Sequence, residues 1–161
     1  MPRSRPGALR AVRNTAGDGR LPAWVRELPR VDRLSARASA EVHALESATA
    51  AHARGLSETR TLLAAYRAFL AQPGSRLRRR KAWCSCPGCE DEDVALVRDK
   101  LADRYRALSP RARAELGPVL ADLDAEFRRR TEPDPHPPPE HRADRSGRPR
   151  SWWHRRRFED A

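Results

Sequence analysis

From Leu34 to Phe127 the apolar residues return every three or four positions, and no stretch alternates apolar and polar as a half-buried strand does. That spacing lines them along one face of successive helices and commits the chain to an all-α fold. Leu34, Ala38, Val42, Leu45 and Thr49 mark a first helix over 33–54, with Asp32 as N-cap and Gly55 as stop. Leu62, Leu63, Tyr66, Phe69 and Leu70 mark a second over 58–72, capped by Ser57 and ended by Pro73-Gly74. Val94, Val97, Leu101, Tyr105 and Leu108 form the seam of a third over 92–107. Ser109-Pro110 supplies an N-cap and first-turn proline for a fourth. There Leu116, Val119, Leu120, Leu123 and Phe127 keep helical spacing across Gly117-Pro118. A kink, or a restart at Pro118, is expected before that helix ends near Arg130. The expected architecture is a small bundle of about four helices in two antiparallel pairs.

The periodic region has flanks of another kind. Residues 1–31 are rich in Arg, Pro and Gly and read as a disordered basic arm. Residues 32–131 are the helical domain, interrupted by a cysteine-bearing loop at 73–91. Residues 132–161, opening on Glu132-Pro133-Asp134-Pro135-His136-Pro137-Pro138-Pro139, read as a Pro/Arg-rich disordered tail. Within it, Trp152 and Trp153 are costly to leave in water. They have three destinations: the protein's own helices, which are favoured, a partner's groove, or an anionic membrane surface. Trp152, Trp153, Arg155 and Arg156 are therefore the candidate partner-binding set.

All three cysteines fall within Trp83-Cys84-Ser85-Cys86-Pro87-Gly88-Cys89. The Pro-Gly pair favours a tight turn that lets several sulfurs point inward. Thiolates at this spacing suit zinc or an iron–sulfur centre, and a closed zinc site needs four ligands. Cys84, Cys86 and Cys89 give three, and His52 is the candidate for the fourth. In a second reading Cys86 and Cys89 are a redox dithiol, although the strand that precedes a thioredoxin-like motif is missing and Glu90 to Asp93 oppose thiolate formation. In a third, the thiols are reduced and have no role. The acidic run itself is explained by the helix start that follows it.

The formal charge is +11, carried almost entirely by arginine: Lys81 and Lys100 are the only lysines, isoleucine is absent and Asn14 is the only asparagine. This usage is that of a GC-rich genome, which weakens the step from basic charge to nucleic acid. Even so, Arg76, Arg78, Arg79, Arg80 and Lys81 with Trp83 make a basic-aromatic patch that suits nonspecific nucleic-acid binding, set against its reading as a solvated loop beside acids. No apolar run is long enough to span a membrane and no secretory signal is visible, so a cytoplasmic location is expected.

The thiol loop, the Arg- and Leu-rich helix pair, Arg129-Arg130-Thr131-Glu132-Pro133-Asp134-Pro135 and the Trp152-Trp153-His154-Arg155-Arg156 end together resemble short hypothetical proteins of actinobacteria. The resemblance covers roughly residues 80 to 157 and implies a source, not a mechanism. The chain carries no phosphate-cradling glycine loop, no G-x-S-x-G and no H-E-x-x-H. The sequence therefore points to a non-enzymatic binding or adaptor protein with a protein or nucleic-acid partner, its loop tied by a metal, zinc being the expected ion.

Overall fold

A computed structural model of the chain describes residues 28–50, 58–78 and 93–159. Four helices dominate: α1 (Ala36–Ala50), α2 (Thr59–Leu70), α3 (Val94–Ala107) and α4 (Pro110–Arg129). The protein is a small helical bundle, as the apolar spacing requires. α2 packs along α3, α1 packs against α4, and α4 also touches α2 and α3. The core lies between them, with Leu34, Val42, Leu62, Tyr66, Leu101 and Phe127 nearly sealed from solvent.

Carboxylates borrowed from neighbouring helices fasten three of the four helix starts. Ser35, not Asp32, caps α1 through its hydroxyl, which accepts from the Ala38 N–H at 3.2 Å. Asp32 instead takes a left-handed turn conformation and pairs with Arg67 of α2 at 2.6 Å. Glu115 of α4 holds the Ser35 N–H and hydroxyl at 2.7 and 2.9 Å. Glu41 of α1 does the same for Ser109, the expected cap of α4, at 2.5 and 2.8 Å. Glu46 accepts from the Thr59 N–H at the start of α2. At α3, Asp93 caps its own helix, accepting from Ala95. Each negative group meets the orphan N–H donors and positive dipole end of a helix.

Helix α4 runs unbroken through Pro118. The proline removes one backbone donor, but Leu116, Leu120 and Phe127 on either side stay on the buried face, and their packing holds the helix together. A Cβ at Gly117 would meet the Tyr105 ring at 3.5 Å, an ordinary contact. Gly117→Ala is therefore expected to raise stability by about 0.5–1 kcal/mol in a urea melt, through helix propensity alone. A fall in stability would show that Tyr105 needs the space.

The largest departure from the sequence reading lies beyond Thr131. Residues 132–159 do not form a disordered tail; they fold back over the bundle as a strap. Glu132–Pro133 (β1) pairs antiparallel with Arg156–Arg157 (β2), in the register Glu132 with Arg157 and Pro133 with Arg156. Between them lie a single helical turn, α5 (Pro139–Arg142), and a 3₁₀ turn, Trp152–His154, seated on α3. Proline at these positions gives extended chain, which suits a strap as well as it suits disorder. The docked aromatic rings tip the balance toward order.

Candidate functional site

The strap is anchored by aromatic packing. The Phe127 ring meets Tyr66 and Phe69 edge-on at 6.0 and 6.1 Å, and Trp152 and Phe158 close over it at 5.6 and 5.9 Å. The guanidinium of Arg128 stacks on Trp152 at 4.0 Å and that of Arg98 on Trp153 at 4.4 Å. Trp153 is buried and Trp152 half-buried. Both rings thus take the favoured destination, the protein's own helices. Arg156 is turned inward as well: it donates to Thr131 Oγ1 at 2.9 Å and to the Arg128 carbonyl at 3.0 Å, capping the last turn of α4. Burial, then the nearby Arg128 charge, lowers its pKa. Of the candidate partner-binding set, only Arg155 is exposed.

Two polar clusters lie under the strap. In the first, Asp124 of α4 receives Arg98 of α3 through two bonds of 2.8 and 2.9 Å and the Tyr66 hydroxyl of α2 at 3.0 Å. Three helices are thereby tied at one buried carboxylate. In the second, Asp99 accepts from Trp153 Nε1 and pairs with His154 Nε2, both at 2.7 Å, with Arg150 at 3.7 Å. Burial alone would raise the Asp99 pKa. The His154 and Trp153 hydrogen bonds, with the charges of His154 and Arg150, outweigh it and bring the carboxyl below its usual value.

This sets a pH dependence. Because the folded-state pKa of Asp99 is depressed, its contribution is complete above the unfolded carboxylate pKa of about 3.9 and is lost as pH falls through the folded value. Tryptophan emission should therefore shift to the red on acidification below about pH 4, and less so in Asp99→Asn, whose clip is already weakened at neutral pH. Identical acid profiles for the two proteins would remove Asp99 from the account.

A third cluster closes the end of α2. Arg130, buried and without a carboxylate partner among the described residues, donates to the carbonyls of Leu70, Gln72 and Gly74. These are the orphan acceptors of a helix C-terminus and its turn.

The remaining sequence candidates fare differently. Cys84, Cys86, Cys89 and His52 lie outside the described residues, as do Arg79, Arg80, Lys81 and Trp83. Among the described residues no group of three or more His, Cys, Asp or Glu is placed to hold a metal. Arg76 and Arg78 are described, and each is paired with an acid of the strap: Arg76 with Glu132, Arg78 with Glu159 at 3.2 Å. This part of the basic patch is thus charge-compensated. Asp99 and Asp124 were missed in sequence, yet a signal existed. Asp124 falls on the same helical face as Leu116, Leu120 and Phe127, and a carboxylate in an apolar register requires a buried cation.

An open cleft of about 440 Å³ lies beside the strap, lined by Asp134, Pro135, His136, Pro137, Arg142 and Arg155. Neither polar cluster lines it: the Asp124 cluster joins three helices, and the Asp99 cluster joins α3 to the strap. No helix among the described residues is long and apolar enough to cross a membrane. Compared with known proteins, the chain matches no family model, no curated protein and no solved structure.

Proposed function

We propose that this protein is a non-enzymatic, cytoplasmic binding module whose bundle presents the thiol-bearing segment 79–92 between two fixed ends. The carrying observation is how firmly those ends are held. Before the segment, the Arg78 N–H donates to Gln72 Oε1 at 3.2 Å, its carbonyl accepts from Gln72 Nε2 at 3.3 Å, and its backbone bridges to Glu159. After it, Asp93 is the cap of α3. Anchored ends reduce the chain entropy lost when a ligand closes a loop.

Three clustered thiolates are a soft donor set suited to zinc. His52 is the proposed fourth ligand, and two of its competitors have other work. His43 binds the Pro29 carbonyl at 2.8 Å, and His154 is held by Asp99. The half-buried carboxylate of Asp99 and the buried one of Asp124 are likewise occupied with structural partners, which supports a binding role over catalysis. The expected result is one zinc per chain by elemental analysis, thiols that react only after chelation, and loss of the metal in Cys86→Ser. Three freely reactive thiols in metal-free protein would refute the metal reading. A reversible Cys86–Cys89 disulfide in that same protein would favour the redox reading instead.

A further inference from the structure

We propose that the exposed arginine face of the strap binds the phosphate backbone of nucleic acid. From His141 to Arg157 the strap carries seven arginines and a single carboxylate, Asp144. Arg156 is spent on α4 carbonyls and Arg150 leans toward Asp99. Arg145, Arg148, Arg155 and Arg157 are exposed, and no described carboxylate lies within ion-pair distance of any of them.

Elsewhere the exposed arginines are mixed: Arg30, Arg33, Arg60 and Arg111 stand exposed, and four others are paired. Arg106 pairs with Asp103, Arg129 with Glu126, Arg76 with Glu132 and Arg78 with Glu159. A solvated, compensated surface accounts for those. It does not account for the strap from His141 to Arg157, where seven arginines stand against one carboxylate. Genomic preference for arginine over lysine does not set this local excess of basic over acidic residues.

The face is also pre-shaped. Asp144 Oδ1 accepts from the Ser146 N–H, the Ser146 hydroxyl and the Arg148 N–H at 2.8, 2.6 and 3.0 Å. The Arg150 N–H returns to the Arg142 carbonyl at 2.8 Å, and Ala143 bridges to Pro149. The lone carboxylate is thus used to fix the turn that displays the arginines, which lowers the ordering cost of binding. The open cleft beside Arg155 adds Arg142 and His136 and leaves room for a phosphate. Its Asp134 carboxylate is bonded to the His136 N–H at 3.0 Å.

Guanidinium groups favour phosphate oxygens through bidentate bonds, and several of them on one short segment suit a polyanion. A bilayer is disfavoured because Trp152, Trp153 and Phe158 pack inward, leaving no apolar wedge beside the arginines. The same inward packing removes base stacking, so recognition should be independent of sequence.

Fluorescence anisotropy of the full chain with a labelled 20-base-pair duplex and a single-stranded RNA of equal length tests this. Loss of four phosphate contacts in Arg145→Ser/Arg148→Ser/Arg155→Ser/Arg157→Ser should weaken binding by about tenfold or more at low salt and flatten the slope of log K against log salt by about 3. The equally charged control Arg60→Ser/Arg106→Ser/Arg111→Ser/Arg129→Ser should stay within about twofold of the parent chain. Equal losses in both variants would overturn the proposal, since charge alone and not this face would then govern binding. Absence of nucleic-acid binding, with or without binding to vesicles containing phosphatidylserine, would overturn it too.

Discussion

Asp124→Ala is expected to cost about 3–5 kcal/mol, the range for removing one partner of a buried ion pair. The substitution strands the Arg98 guanidinium, whose side chain is 9% exposed, and leaves the Tyr66 hydroxyl without its acceptor. Burial, then the charge and hydrogen bond of Asp124, drives the Tyr66 pKa far above its usual value, so the phenol remains a donor. Arg98 already has one buried nitrogen, Nη1, without a hydrogen-bond partner, and further loss finds no compensation. Urea melts of three proteins check the argument. Asp124→Ala should be the least stable, while Arg98→Met/Asp124→Leu should recover much of the loss, because two apolar groups leave no charge uncompensated. A cost below about 1 kcal/mol for Asp124→Ala would mean that water reaches the pair.

Ending the chain at Thr131 is expected to have a comparable or larger effect. Trp153→Ala alone should cost about 3–5 kcal/mol, as large-to-small changes of buried aromatics do. It also removes the Asp99 hydrogen bond and the ring over Arg98. Truncation removes Trp152, Phe158 and the Arg156 cap as well, and uncovers Phe69 and Phe127. Since domains of this size have about 5–15 kcal/mol in total, the shortened chain should lose its near-UV circular dichroism and bind a hydrophobic dye while keeping helical far-UV signal. A truncated protein that melts like the full chain would show the strap to be a passenger. The two effects are coupled: Arg98 joins Asp124 on one side and Trp153 on the other, so Asp124→Ala and Trp153→Ala should not add.

The helices were legible because their information is local. The recurrence of Val94, Val97, Leu101, Tyr105 and Leu108 names a buried face without knowledge of what covers it; four of the five are buried and Tyr105 is half-buried. Ser109-Pro110 announced the start of α4 for the same reason, since the cap bond to Ala112 spans three residues. The cap of α1 was misplaced by three residues. Asp32 and Ser35 are both competent cap residues, and the choice was made by Arg67 and Glu115, which are distant in sequence. The thiol and basic-patch candidates were legible from residue type and spacing alone; which of the basic residues meet an acid was decided by folding, as Arg76 with Glu132 and Arg78 with Glu159 show.

By itself, then, the order of residues determined the four long helices of the described residues, which faces of them are apolar, and that Trp152 and Trp153 need a dry place. Tertiary structure decided where that place is, which carboxylate finishes which helix, and that 132–159 is a strap. The reason is physical. Helical periodicity is set by bonds between residues four apart, whereas the strap is held by contacts such as Trp153 to Asp99 and Arg156 to Thr131, across 54 and 25 residues of chain. Pairings at that range leave no periodic trace, and only the folded chain brings the partners together.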